Sequence, residues 1–280
     1  MATQTLMQLP VRNLPVSLAL FAGLSLLGAG CDQPSPKCNI TQSLETGGNF
    51  AAKYTLKKGS GECAKLAGET LFFGTFYKEN GDHTPDYDAV TVGIQPESTL
   101  GPLGNAEGAE IKPNPADKPY AFGAFDTAEP EDDDFCVVSE LSPARVRLPV
   151  APAWEMPDPN DETGMAPPIA VPEQSDIDLR YEFSNVRVYM TAGSPGRQIT
   201  ADLTYSRREK ASNIDCSATF SVSALFPATP CGVDEAGAPK GTKKDNDAEC
   251  QGLATFIDDA VECDPDLRLC VLSKPVPALR

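Results

Sequence analysis

The chain has 280 residues, with 23 Lys and Arg against 40 Asp and Glu, a formal charge of −17. That acidity argues against nucleic acid as a partner, because phosphate binding needs clustered Lys and Arg. It argues equally against electrostatic adhesion to anionic lipid headgroups, and the length is enough for one large or two small domains with real cores.

Residues 1–30 hold one charge, Arg12, and no acid. Arg12 lies just before an apolar run from Leu14 to Ala29, 16 residues long; a membrane-spanning helix needs roughly 20. Gly28-Ala29-Gly30 supplies the small residues that a signal peptidase accepts, and Cys31 follows. An apolar run ending in small residues at a single Cys resembles the lipobox of bacterial lipoprotein precursors. The family usually has Leu three residues before the Cys; this chain has Gly28 there, with Leu27 one position further back. The resemblance implies that 1–30 is a lipoprotein signal peptide cut after Gly30. It also implies a thioether-linked diacylglycerol on Cys31 and acylation of the new amine. Cys31 is then the lipidation site, and the membrane is the partner reached through that lipid. The protein would sit in the cell envelope, facing the periplasm or the cell exterior. Each buried CH₂ contributes about 0.8 kcal/mol, so several acyl chains anchor firmly. Cleavage without lipidation and an uncleaved anchor are the alternatives.

Without residues 1–30 the chain has 250 residues, 22 basic and 40 acidic side chains and a formal charge of −18. Eight Cys accompany Cys31: Cys38, Cys63, Cys136, Cys216, Cys231, Cys250, Cys263 and Cys270. An even set in an exported chain suggests four disulfides, and the roughly one hundred possible pairings leave connectivity open. No C-x₂-C pair occurs and no spacing matches a zinc module.

Residues 31–37 read as a short, stiff, Pro-bearing tether, so a bridged Cys38 would start the fold close to the bilayer. Region 38–148 is β-rich. Phe50, Ala52, Tyr54 and Leu56 alternate with polar or small residues, and Glu69–Lys78 with Tyr87–Gln95 reads as a hairpin. Residues 96–119, with five Pro, read as a long irregular connection. Short strands are expected at Phe135–Ser139 and Ala144–Val150. Residues 149–174, Pro-rich and acidic, form a linker or a long surface loop that separates the chain into two halves.

Region 175–230 reads as a three-stranded antiparallel meander. Ile177–Met190 changes parity at Asn185, which marks a bulge. Gln198–Arg208 and Cys216–Phe226 each set one apolar face against one hydroxyl-rich face. Region 231–280 is a Cys-rich extension, stapled rather than packed. Lys240–Asn246 reads as a mobile polar stretch, Asp247 as the cap of a short helix through Phe256 and Ile257, and Cys263–Cys270 as a tight loop.

Catalytic signals are sparse. His83 is the sole His, in a stretch with Asp82, Asp86 and Asp88 that reads as a polar hairpin turn. No G-x-S-x-G elbow, P-loop, H-E-x-x-H or G-x-G-x-x-G is present. Asp158-Asn160-Glu162 and Asp245-Asp247-Glu249 have calcium-loop spacing but lack the Gly and the closing acid. Glu131–Asp134 reads as a solvated charge run. Trp154 is the single Trp, and parity turns Tyr181 and Tyr205 to the core, leaving no sugar-stacking platform in view.

The sequence therefore predicts a mainly β protein, an antiparallel, sandwich-like meander with long Pro-rich loops and a Cys-rich C-terminal extension. Its expected role is that of a lipid-anchored envelope protein, structural or ligand-binding, without catalysis and without cofactor or metal. An envelope protein or a glycan is the expected partner. A calcium- or glycan-binding module and a carboxylate-based secreted hydrolase are the alternatives.

Overall fold

The computed structural model describes residues 36–42, 48–157, 166–234, 237–254 and 259–279. Cys31 and the whole signal segment lie outside them, as do Asp158, Asn160, Glu162, Phe256 and Ile257. The first part of the chain forms β1 (Asn49–Gly59), β2 (Gly68–Glu79) and β3 (Pro85–Pro96), then helix α1 (Leu100–Gly108). Short strands follow: β4 (Ala121–Ala124), β5 (Phe135–Val138), β6 (Ala144–Leu148), β7 (Trp154–Met156) and β8 (Ile169–Val171). Then come β9 (Ile177–Met190), β10 (Pro195–Glu209), β11 (Ile214–Leu225), helix α2 (Lys243–Ala254), β12 (Val261–Asp264) and β13 (Leu269–Leu272).

One antiparallel sheet carries the fold, in the order β4-β3-β2-β1-β11-β10-β9-β5, with β6 also paired to β9. The β2–β3 hairpin and the β9–β10–β11 meander form as their alternation dictates. Asn185 takes a left-handed backbone (φ 51°), and the β9–β10 register shifts between Thr200 and Asp202. The bulge lets Phe183 and Val186, of opposite parity, both reach the core.

β5 and β6 act as one interrupted strand along β9. Phe135 to Val138 pair with Tyr189 to Val186, and Ala144 to Leu148 pair with Tyr181 to Ile177. Their outer edge meets the chain around β4. Ser142 N–H donates to Phe122 O (2.9 Å), Asp126 N–H to Val137 O (2.9 Å) and Arg145 N–H to Lys118 O (2.6 Å). The sheet thus curls into a nearly closed barrel, and the two layers of a sandwich become its opposite walls. Gly123 permits the closing approach, since a Cβ there would lie 2.1 Å from Glu140 O. The Pro-rich segment does not interrupt this sheet, because β5 and β6 before it pair with β9 after it; within it, β7 and β8 pair with each other.

The interior is filled by side chains, as a barrel of this size requires. Phe50, Phe73, Tyr181, Phe220, Ile199 and Leu203 are fully buried in one cluster. Residues 96–119 are more ordered than their five Pro suggest: Ala106 of α1 packs on Val146 and Leu148 of β6. That burial outweighs the poor helix propensity of Gly101 and Gly104.

The extension is packed as well as stapled. Val261, Leu272, Ala278 and Leu225 share a second cluster with its four Cys. Buried Gln198 donates to Asp259 (2.6 Å) and accepts from Ala278 N–H (2.7 Å), tying the extension to the barrel. α2 begins at Lys243, earlier than expected, because Thr242 and Asp245 form a reciprocal cap. Asp247 is therefore inside the helix, where it pairs with Lys243 and accepts from Cys263 N–H (3.1 Å). Lys243–Asn246 is its first turn rather than a mobile stretch. Cys263–Cys270 is a β12–β13 hairpin, its turn held by Asp264 accepting from Asp266 and Leu267 N–H.

Candidate functional site: an aromatic groove on the barrel wall

The eight Cys pair as Cys38–Cys136, Cys63–Cys216, Cys231–Cys263 and Cys250–Cys270. The first pins residues 36–42 to β5, and the second pins the β1–β2 corner to β11. The sulfurs of Cys231, Cys250 and Cys263 lie within 4.8 Å of one another. All three are disulfide-bonded, and metal binding needs thiolates.

His83 sits in the β2–β3 turn, largely exposed, beside Glu79. Asp82 and Asp86 accept from N–H groups two residues on, at Thr84 and Asp88. Both are Asx turns, the structural role that turn residues favour. Glu131 and Asp133 converge on Arg187, whose guanidinium also stacks 4.2 Å above the Phe135 ring. Asp245 and Glu249 are engaged by Thr242 and Lys240 in and beside α2, so that triplet is not a loop.

Glu69 is a half-buried carboxylate at the start of β2. It accepts from Tyr54 OH (3.3 Å) and Ser98 N–H (2.8 Å), and Ser98 Oγ meets Tyr181 OH at 2.5 Å. Burial pushes its carboxyl up, against the lowering effect of the Ser98 N–H. Burial, then the Glu69 charge, pushes the Tyr54 and Tyr181 phenols well up, so they remain donors. Tyr181 and Tyr205 are buried, as parity required. Hydrolysis by carboxylates alone needs a second acid across a cleft. Glu69 is instead surrounded by phenols and a Ser, and the cluster fastens the turn after β3 to the barrel.

The outer face of β2, β3 and β4 has a different character. Phe76, Tyr120 and Phe122 are 56%, 40% and 46% exposed, and Phe72 is half-buried beside them. These rings border a groove of about 470 Å³ to which Thr91 and Gln95 add a hydroxyl and an amide. Among the described residues no charged side chain lines it, in a chain where 22% of residues are charged.

Gly74 and Gly93 are cross-strand partners beneath the rings. A Cβ on Gly93 would lie 2.9 Å from the Phe76 ring, and one on Gly74 would lie 3.0 Å from that of Phe72. The missing side chains let both rings lie down on the strands. Trp154 is elsewhere, its indole against Gly108 of α1. The platform is hidden in the sequence because Leu71-Phe72-Phe73-Gly74-Thr75-Phe76-Tyr77 puts aromatics on both parities. The usable signal is a Gly inside each of two adjacent strands, which marks close approach to backbone.

Fold and site together define a disulfide-locked antiparallel β-barrel with an uncharged aromatic groove on its outer wall. The chain belongs to the MlpA family, whose model matches residues 48–227. That span covers β1 to β11 and leaves out the Cys-rich extension. It is similar to the Myxococcus xanthus protein named "Putative lipoprotein MlpA", at 28% identity over 215 residues, 75% of this chain and 74% of that one. The name agrees with the lipoprotein resemblance of the first 31 residues. No solved structure matches.

Proposed function

We propose that the chain is a lipid-anchored, non-catalytic protein of the cell envelope that binds a ligand on its barrel wall. The observation that carries this reading is the groove of Phe76, Tyr120 and Phe122. Exposed aromatics in a concave, uncharged site are what ligand pockets use, and an open patch left bare on a barrel is unusual. The lipobox-like residues 27–31 and the name of the Myxococcus relative support the anchor.

The geometry of residues 36–42 supports a barrel held close to the bilayer. Cys38 is bonded to β5, and Lys37 pairs with Asp88 and Glu129. The seven-residue step from Cys31 to Cys38 reaches at most about 25 Å. Lys37, six residues after Cys31, lies beside the 79–88 and 126–134 turns.

Two measurements test the reading. Wild-type protein should fractionate with membranes and a Cys31→Ala variant should not. Hydroxyl-radical footprinting should label Phe76 and Phe122 less in isolated envelopes than in purified protein. Membrane retention of the variant contradicts the anchor, and equal labelling contradicts the ligand.

A further inference from the structure

The groove's chemistry restricts its occupant. Building on the ligand-binding reading proposed for it, we infer that the groove takes a neutral saccharide. Its volume of about 470 Å³ falls in the size range of small-ligand sites. The charge of the chain is −17, yet the lining carries none. An anionic ligand meets no cation there, and a cationic one meets no carboxylate. The rings of Phe76, Phe122 and Tyr120 offer π faces to the C–H faces of a sugar. Thr91, Gln95 and the Tyr120 phenol stand among them to pair with hydroxyls, donors and acceptors both.

Other occupants fit less well. An extended peptide gains most of its affinity by adding to a free strand edge. Here β4 is bonded to β3 on one side and to the β5–β6 corner on the other. A bilayer would favour a protruding apolar surface over a concave one holding an amide and hydroxyls. The end nearest the tether is moreover rich in acids: Asp82, Asp86, Asp88, Glu129, Asp132 and Asp133. A stable second copy would bury about 800 Å² per partner, more than a few rings in a groove supply.

The test uses the intact chain in phosphatidylcholine nanodiscs, titrated calorimetrically with hexasaccharides of glucose, mannose and N-acetylglucosamine. A diphenylalanine peptide capped at both ends is the second probe. Hydrogen exchange locates whatever binds. The expected result is binding of at least one hexasaccharide, with protection of β2 to β4. Phe76→Ala and Phe122→Ala should each weaken it about tenfold, or roughly 1.4 kcal/mol, without changing the melting temperature. Gly93→Val, which lifts the Phe76 ring, should weaken it too. Saccharide binding that ignores Phe76 overturns the inference. Binding of the peptide alone, lost in Phe76→Ala, overturns the saccharide while leaving the groove a ligand site. Binding of neither probe overturns both.

Discussion

Two glycines in neighbouring strands should respond in opposite ways to the same substitution. Gly93→Ala places a methyl 2.9 Å from Phe76 Cε2, the far edge of a half-exposed ring that can turn aside. Replacing Gly in a strand also reduces the freedom of the unfolded chain, worth about 0.4–1 kcal/mol. Gly93→Ala should therefore hold or raise stability. Gly123→Ala places its methyl 2.1 Å from the carbonyl oxygen of Glu140, a backbone atom in the corner that closes the barrel. To relieve it, β4 must draw back from β5–β6. That strains the bonds from Ser142 N–H to Phe122 O and from Asp126 N–H to Val137 O. At about 1 kcal/mol each, their loss outweighs the entropic gain, for a net loss of about 1–2 kcal/mol. The gap between the two variants should be about 1–3 kcal/mol. Urea denaturation followed by far-UV circular dichroism, with the slope held common, measures it. Equal stability of the two variants would refute the barrel closure.

Three further outcomes rest on named contacts. Burial raises the Glu69 carboxyl, so ionising it costs stability: the favourable contribution is complete below the unfolded Glu value and is lost as pH rises through the folded one. Glu69→Gln should flatten that fall, gaining over wild type above the window and nothing below it, as read by melting temperature against pH. Replacing both Cys63 and Cys216 by Ser opens a closure of 153 residues and should cost about 4–5 kcal/mol by chain entropy. A loss under 1 kcal/mol in denaturant would mean that the β1–β2 corner is held by packing alone. Phe50 is fully buried against Phe73 and Phe226, with ring centroids 5.0 and 5.3 Å away. Phe50→Ala should cost about 3–5 kcal/mol, and near-neutral behaviour would contradict the shared core.

The sequence was most legible where one face meets the core and the other meets water. β9, β10 and β11 alternate so regularly that even the Asn185 bulge shows as a change of parity. The closure was hidden because its pieces are short: β4 has four residues, and β5 and β6 have four and five. β5 and β6 were expected as strands, but four or five residues do not tell which neighbour they pair with, and β4 was not read at all; only β9, far along the chain, brings β5 and β6 into line. α1 was masked by its own Gly and Pro, since its stability comes from Val146 and Leu148 rather than from propensity. Asp247 resembled a cap, but Thr242 caps the helix five residues earlier through its reciprocal pair with Asp245. The groove was illegible for a different reason. Aromatics occupy both parities of 71–77, so the sequence does not tell which of them face outward; in the fold, Leu71 and Phe73 point in while Phe72 and Phe76 point out.

The most direct measurement of the account is the mass of the intact chain from a bacterial membrane fraction, before and after reduction, with non-reduced peptide mapping. The expected result is loss of residues 1–30, a tri-acyl gain on Cys31, and eight hydrogens gained from four disulfides linking 38 to 136, 63 to 216, 231 to 263 and 250 to 270. An unlipidated chain with free thiols, or Cys136 joined to a partner other than Cys38, would contradict it.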